Sequence, residues 1–85
     1  MTPNQVVVTL QVESGQYAAD YELPATLPVS KLSDLLLSVL VQQHPQLFGR
    51  WKRLRFIWNG AALKGNDTLA ALGIWDGSIL HIGEG

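Results

Sequence analysis

Residues 53–63 read RLRFIWNGAAL, and this stretch decides the fold. Leu54, Phe56 and Trp58 alternate with Arg53, Arg55 and Ile57, the period of a strand with one buried face. Asn59-Gly60 follows, the strongest short hairpin signal in the chain, so a third strand turns into a short fourth around residues 61–63. Upstream, residues 6–12 (VVVTLQV) alternate in the same way, with Val6, Val8, Leu10 and Val12 on one side. Gly15 lies in a loop, and alternation resumes at residues 17–23 with Ala19, Tyr21 and Leu23 facing together, so the first two strands form an antiparallel hairpin. Pro24 and Pro28 then remove amide donors and end the ladder.

Between residues 29 and 43 the apolar period changes. Leu32, Leu35, Leu36, Val39 and Leu40 fall within an arc of about 140° on a helical wheel, which predicts one amphipathic helix with these residues on its core face. Ser30 is its N-cap with Val29 as the preceding staple residue, and His44-Pro45 stops it. Leu37 and Val41 lie a turn apart away from that arc, surplus to the core. Gly65-Asn66-Asp67 is a turn, Asp67 caps a short helical turn over residues 68–72, and Gly73 ends it. Asp76-Gly77 leads into a last strand at residues 78–82, with Leu80 and Ile82 inward and His81 outward. The expected class is α+β: a mixed sheet of four to five strands on one main helix plus a short helical turn.

The chain has 85 residues, 47% of them apolar, and six basic against seven acidic side chains give a net charge of −1. That is one domain, 1–85, with a modest core, residues 1–5 and 83–85 frayed, and little room for a deep catalytic cleft. The near-zero charge supplies no field for nucleic acid or an anionic membrane. Without cysteine there is no disulfide, thiolate nucleophile or thiolate metal site. No signal peptide or spanning helix is encoded, so the expectation is a cytoplasmic protein without membrane insertion.

These residues resemble the ubiquitin-like β-grasp family along essentially the whole chain. The resemblance is carried by the Gly15 hairpin, the L-x-F-x-W-N-G run at 54–60 with Leu63, and the D-x-L-x-x-L-G-I-x-D-G-S-x-L run from Asp67 to Leu80. The L-P-A-x-x-P-V stretch from Leu23 to Val29 and the Asp76-Gly77-Ser78 turn make it similar to the YukD/EsaB type and to the ubiquitin-like domain heading EccD components, both of type VII secretion systems. The resemblance implies a non-covalent, cofactor-free protein-binding module, contacting a secretion-system component through the outward sheet face.

Position by position, the family's contact surface falls on Ile57 and His81, with Gly83 where a third apolar residue is expected and Glu13 where a Leu often sits. Arg53 and Arg55 share that face, so the implied partner surface is acidic with a small apolar centre. Conjugating members end in a flexible Gly-Gly tail. Gly83-Glu84-Gly85 is short and interrupted by a charge, so neither conjugation nor sulfur transfer is expected, unless the natural chain continues.

Trp75 sits in a turn, where it either lies over the short helical turn or joins Leu37 and Val41 in a second apolar surface for a partner or a homodimer. The Arg50-Trp51-Lys52-Arg53-Leu54-Arg55 cluster suggests nucleic-acid stacking, but strand alternation points Lys52 away from Arg53 and Arg55 and the acidic residues cancel its field. His44 and His81 lack ligand spacing for a metal. Asp20 and Glu22 share one strand face as a solvated edge rather than an acid–base pair. No hydrolase elbow, phosphate-binding loop or metalloprotease helix is present, and the chain is expected not to be an enzyme.

Overall fold

The computed structural model describes residues 4–85. Its elements are β1 (Gln5–Val12), β2 (Ala18–Pro24), α1 (Val29–Gln43), α2 (Pro45–Phe48), β3 (Leu54–Trp58), β4 (Ala61–Ala62) and β5 (Ile79–Glu84). The sheet order is β2-β1-β5-β3-β4. Only the central β1–β5 pair is parallel; the other three are antiparallel. The α+β grasp expected from the sequence is therefore present, with the two ends of the chain paired at its centre.

Alternation places Val6, Val8, Leu10 and Val12 of β1, Leu54 and Phe56 of β3, and Leu80 and Ile82 of β5 against the helix side, all buried. Trp58, expected inward, is half-buried at the end of β3. Asn59 (φ 53°) and Gly60 (φ 80°) both adopt the left-handed region, as a two-residue hairpin turn requires. No buried polar or charged side chain is found among the described residues. The core is closed by the hydrophobic effect alone.

The helix is rotated relative to the sequence expectation. Its buried residues are Val29, Leu32, Leu36 and Leu40, while Leu37 and Val41 are half-buried against the same core. Leu35 and Val39, expected inward, are 57% and 40% exposed. The two pairs flank the central stripe from opposite sides, so periodicity cannot choose between them. Packing chooses: α1 contacts β3 and α2, and the flank bearing Leu35 and Val39 is left at a groove beside β2.

The helix start also differs. The N-cap is Pro28 and no side chain caps the helix. The Val29 amide instead donates to the Asp67 carbonyl (2.8 Å) and that of Ser30 to the Gly65 carbonyl (3.0 Å), so a distant turn satisfies the orphan donors. The Asp67 carboxylate is used within that turn, accepting from the Lys64 amide. The cap of the following turn is Thr68, whose hydroxyl accepts from the Ala71 amide. Gly73 ends that turn at φ 72°.

His44-Pro45 does more than stop α1. The His44 carbonyl accepts from the Leu47 and Phe48 amides, and Pro45, acceptable at a first helical position, opens α2. This sends Phe48 fully into the core. Phe48 meets Tyr17 and Trp51 edge-on, at ring-centroid distances of 5.7 and 4.9 Å, and Tyr17 also faces His44. The Tyr17 and Tyr21 hydroxyls lie 2.7 Å apart, and Tyr21 donates to Gln43 Oε1.

Residues 4, 5 and 83–85, expected to fray, are paired. Gln5 pairs with Pro24, and the Asn4 carbonyl accepts from the Ala25 amide; residues 1–3 lie outside the described residues. At the other end Gly83 pairs with Arg55, Glu84 with Leu54, and the Gly85 amide donates to the Arg53 carbonyl. The open edge of β3 extends the ladder past Ile82.

Two measurements check this packing. Leu40→Ala empties a fully buried site and should cost about 2–5 kcal/mol in urea unfolding, whereas Leu35→Ala should stay within about 0.5 kcal/mol. Tyr21 is held protonated, its pKa pushed up to about 12 by burial and then by the neighbouring Tyr17 hydroxyl. Unfolded tyrosine loses its proton near pH 10, so between about pH 10 and 12 the folded state binds more protons and stability falls as pH rises. In Tyr17→Phe, Tyr21 is the sole tyrosine. Its phenolate absorbance should then titrate below 12 yet above 10, because burial persists.

Candidate functional site: the outer sheet face

The face of the sheet away from α1 is assembled by the same alternation that builds the core. With Leu54 and Phe56 inward, Arg55 and Ile57 project outward, and Arg53, just before β3, is exposed beside them. On β5, Ile79, His81 and Gly83 alternate with the inward Leu80 and Ile82. Ile57 lies directly opposite His81 in the register. Ile79, two residues back on the same face, is its diagonal neighbour, roughly 7–8 Å away by strand geometry. Ile57 is half-buried and Ile79 52% exposed, and Val7 on β1 adds a further exposed apolar side chain. Four of the expected contact residues, Arg53, Arg55, Ile57 and His81, are thus brought onto one face.

Ile79 went unremarked in the sequence, although outward His81 requires it to face the same way. It supplies apolar surface that the expected pattern lacked at Gly83. Gly83 has another use. Arg55 Nη2 and Glu13 Oε2 form an ion pair at 3.1 Å, and it lies across Gly83. A Cβ at Gly83 would collide with the Glu13 carboxylate and approach Arg55 Nε to 3.2 Å. Arg55 is therefore a partnered cation, and Glu13, in the hairpin loop, replaces an apolar rim with a charge pair. Both side chains are about half exposed, so the pair adds little stability and acts by fixing where the guanidinium sits.

The face carries opposite charge at its two sides. Arg53 and Arg55 lie on the β3 side, and Asp20 and Glu22 on β2, where Asp20 accepts a 2.7 Å hydrogen bond from the Thr9 hydroxyl. A turn secures the lower end of its centre. The Asp76 carboxylate accepts from the Val7 amide, the Gly77 amide donates to the Val7 carbonyl, and the Thr9 amide donates to the Ser78 carbonyl.

Of the second expected surface, Leu37 and Val41 are half-buried against the core and Trp75 is 68% exposed. Its indole nitrogen lies beside Gly73, at the end of the short turn. Trp51, within the basic cluster, is half-buried and packs edge-on to Phe48. Among the described residues, no group of three potential ligands could hold a metal ion, and no helix is long and apolar enough to cross a membrane.

A family profile described as "WXG100 protein secretion system (Wss), protein YukD" matches residues 7–82. The chain belongs to the YukD family. No curated protein matches it. Among solved structures it is similar to a chain of the "MycP5-free ESX-5 inner membrane complex, State II", with 28% identity and a TM-score of 0.74 over 94% of its own length. It spans 21% of that much longer chain. It is also similar to the ubiquitin-like domain of the Mycobacterium tuberculosis type VII secretion protein ECCD1, with 25% identity, TM-score 0.70, and coverage of 93% and 97% of the two chains. The EccD5 ubiquitin-like domain from Mycobacterium xenopi shares the fold at 23% identity and TM-score 0.73, over 94% and 93% of the two chains. This YukD-family chain thus has the ubiquitin-like fold of domains associated with type VII secretion.

Gly83→Ala should displace the Glu13 carboxylate, the end of a flexible side chain, and leave unfolding free energy within about 1 kcal/mol of the parent in urea titration. A loss of several kcal/mol would make the ion pair a structural element rather than a positioning one.

Proposed function

We propose that the chain is a non-covalent protein-binding module of a type VII secretion system. It works in the cytoplasm, without catalysis or a cofactor, and engages its partner through the outer sheet face. The observation that carries this reading is the apolar centre of Ile57 and Ile79 beside His81, left uncovered on the sheet face opposite the one that packs on the core. Arg53 and Arg55 border that centre on the β3 side. Their partner surface is acidic around a small apolar contact, and apposed opposite charges raise association rate and specificity more than affinity. Among the described residues, the groove between β2 and α1 and the one beside Tyr17, Phe48 and Trp51 are lined by no nucleophile–base or acid–base pair, as suits a binding module.

A second reading, that this module forms the head of a larger membrane component, is supported by the likeness to the longer ESX-5 chain. The binding face is the same in both.

Ile57→Asp places a charge at the centre of the face without entering the core. Native capture from the host should recover a partner with the parent chain. The variant should bind that partner at least about tenfold more weakly while keeping its unfolding midpoint. Undiminished binding by Ile57→Asp overturns the sheet-face assignment, and heavier species surviving denaturing washes overturn the non-covalent reading.

A further inference from the structure

The molecule has a second open surface, at the opposite edge of the sheet. β2 terminates the sheet order, and its seven residues form the long free edge, against two in β4 at the other end. The register shows which backbone groups are free. The Val12 amide donates to the Tyr17 carbonyl and the Ala25 amide to the Asn4 carbonyl. Stepping by two between these points makes Ala19, Tyr21 and Leu23 the residues hydrogen-bonded to β1. The N–H and C=O groups of Ala18, Asp20 and Glu22 therefore point off the edge, unpaired. Beside that edge a groove of about 240 Å³ runs between β2 and α1, lined by Tyr21, Leu23, Leu32, Leu35, Leu36 and Val39 among others. Leu35 and Val39 are the helix residues that the core leaves exposed.

We propose that this edge and groove take an extended segment of another protein as an added strand, with apolar and basic residues in alternation. Main-chain hydrogen bonds to Ala18, Asp20 and Glu22 supply the register. Alternate apolar side chains lie over Tyr21, Leu35 and Val39, and the intervening Lys or Arg side chains face Asp20 and Glu22 on the outer side.

Charge decides between this occupant and a second copy of the chain. In any antiparallel self-pairing centred on β2, Asp20 faces Asp20 or Glu22, or Glu22 faces Glu22, and like charges directly opposite are destabilising. The same acids that repel a copy complement a basic strand. Edge charges alone could serve only to prevent self-pairing. That role does not account for the adjoining exposed Leu35 and Val39. The cation of α1, Lys31, lies a turn before Leu35, and among the described residues no ion pair engages Asp20 or Glu22. This surface is distinct from Ile57 and His81, so it stands or falls separately from the sheet-face reading.

The test uses the synthetic peptide VKVKVKV, its charge-inverted form VEVEVEV, and VKVPVKV with a central proline, titrated into the isotope-labelled chain and followed by amide and methyl shifts. VKVKVKV should perturb the amides of Ala18, Asp20 and Glu22 and the methyls of Leu35 and Val39. VEVEVEV and VKVPVKV should bind at least about tenfold more weakly. The double variant Asp20→Lys, Glu22→Lys should invert the preference towards VEVEVEV, Leu35→Ser with Val39→Ser should lose binding, and Ile57→Asp should retain it. No perturbation at β2 at millimolar VKVKVKV, equal binding of the two charged peptides, or shifts centred on Ile57 and His81 would each overturn the proposal.

Discussion

The parallel pairing of β1 with β5 is the constraint on which the rest depends. Thr9 to Val12 lie beside Ile79 to Ile82, so the sheet has no centre until the last strand returns to the first. No local turn can enforce this pairing. Its register is set by Asp76, whose carboxylate holds the Val7 amide, and by the Gly77 and Ser78 backbone bonds on either side. Once β5 is seated, β3 has an edge to join, and Phe56 comes opposite Ile82 across the core side of the sheet. Closing a loop of this length costs chain entropy that only the completed core offsets, which makes folding strongly cooperative.

That pairing also makes the proposed binding face. Outward His81 and Ile79 occupy the middle of the sheet because β5 does, and Ile57 joins them because β3 pairs with β5 in this register. The Gly83 position shows how a shared fold can carry a different surface. A glycine there admits the Glu13–Arg55 pair, which gives the upper part of the face a fixed charge arrangement where a side chain would have given apolar area. The same sheet leaves β2 at its edge, with acidic residues on one side and the α1 groove on the other.

The four longer strands are legible because each carries a period of two, and the Asn59-Gly60 turn, with the short β4 after it, because its backbone demands residues that tolerate positive φ. The outward placement of Arg55, Ile57 and His81 follows from the same alternation. The rotation of α1 was not legible: Leu35 with Val39 and Leu37 with Val41 flank Leu36 and Leu40 almost symmetrically, and neighbours far along the chain decide which pair is covered. The start of α1 was missed for a similar reason, since its orphan amides are met by Asp67 and Gly65 rather than by Ser30. The partnership of Arg55 with Glu13 spans 42 residues and has no local signature. Phe48 could have been found, because a proline after a helix is as good a first residue for a new helix as it is a stop.

The central claim, that the outer sheet face is where this YukD-family chain meets its partner, can be read from its isoleucines. The chain has four, and they divide cleanly: Ile57 and Ile79 face outward, while Ile74 and Ile82 are buried. Cross-saturation from an unlabelled captured partner to isoleucine methyl groups of the labelled chain discriminates between them. The account predicts strong attenuation at Ile57 and Ile79 with Ile74 and Ile82 unaffected; a bound complex that leaves Ile57 and Ile79 unattenuated would contradict it.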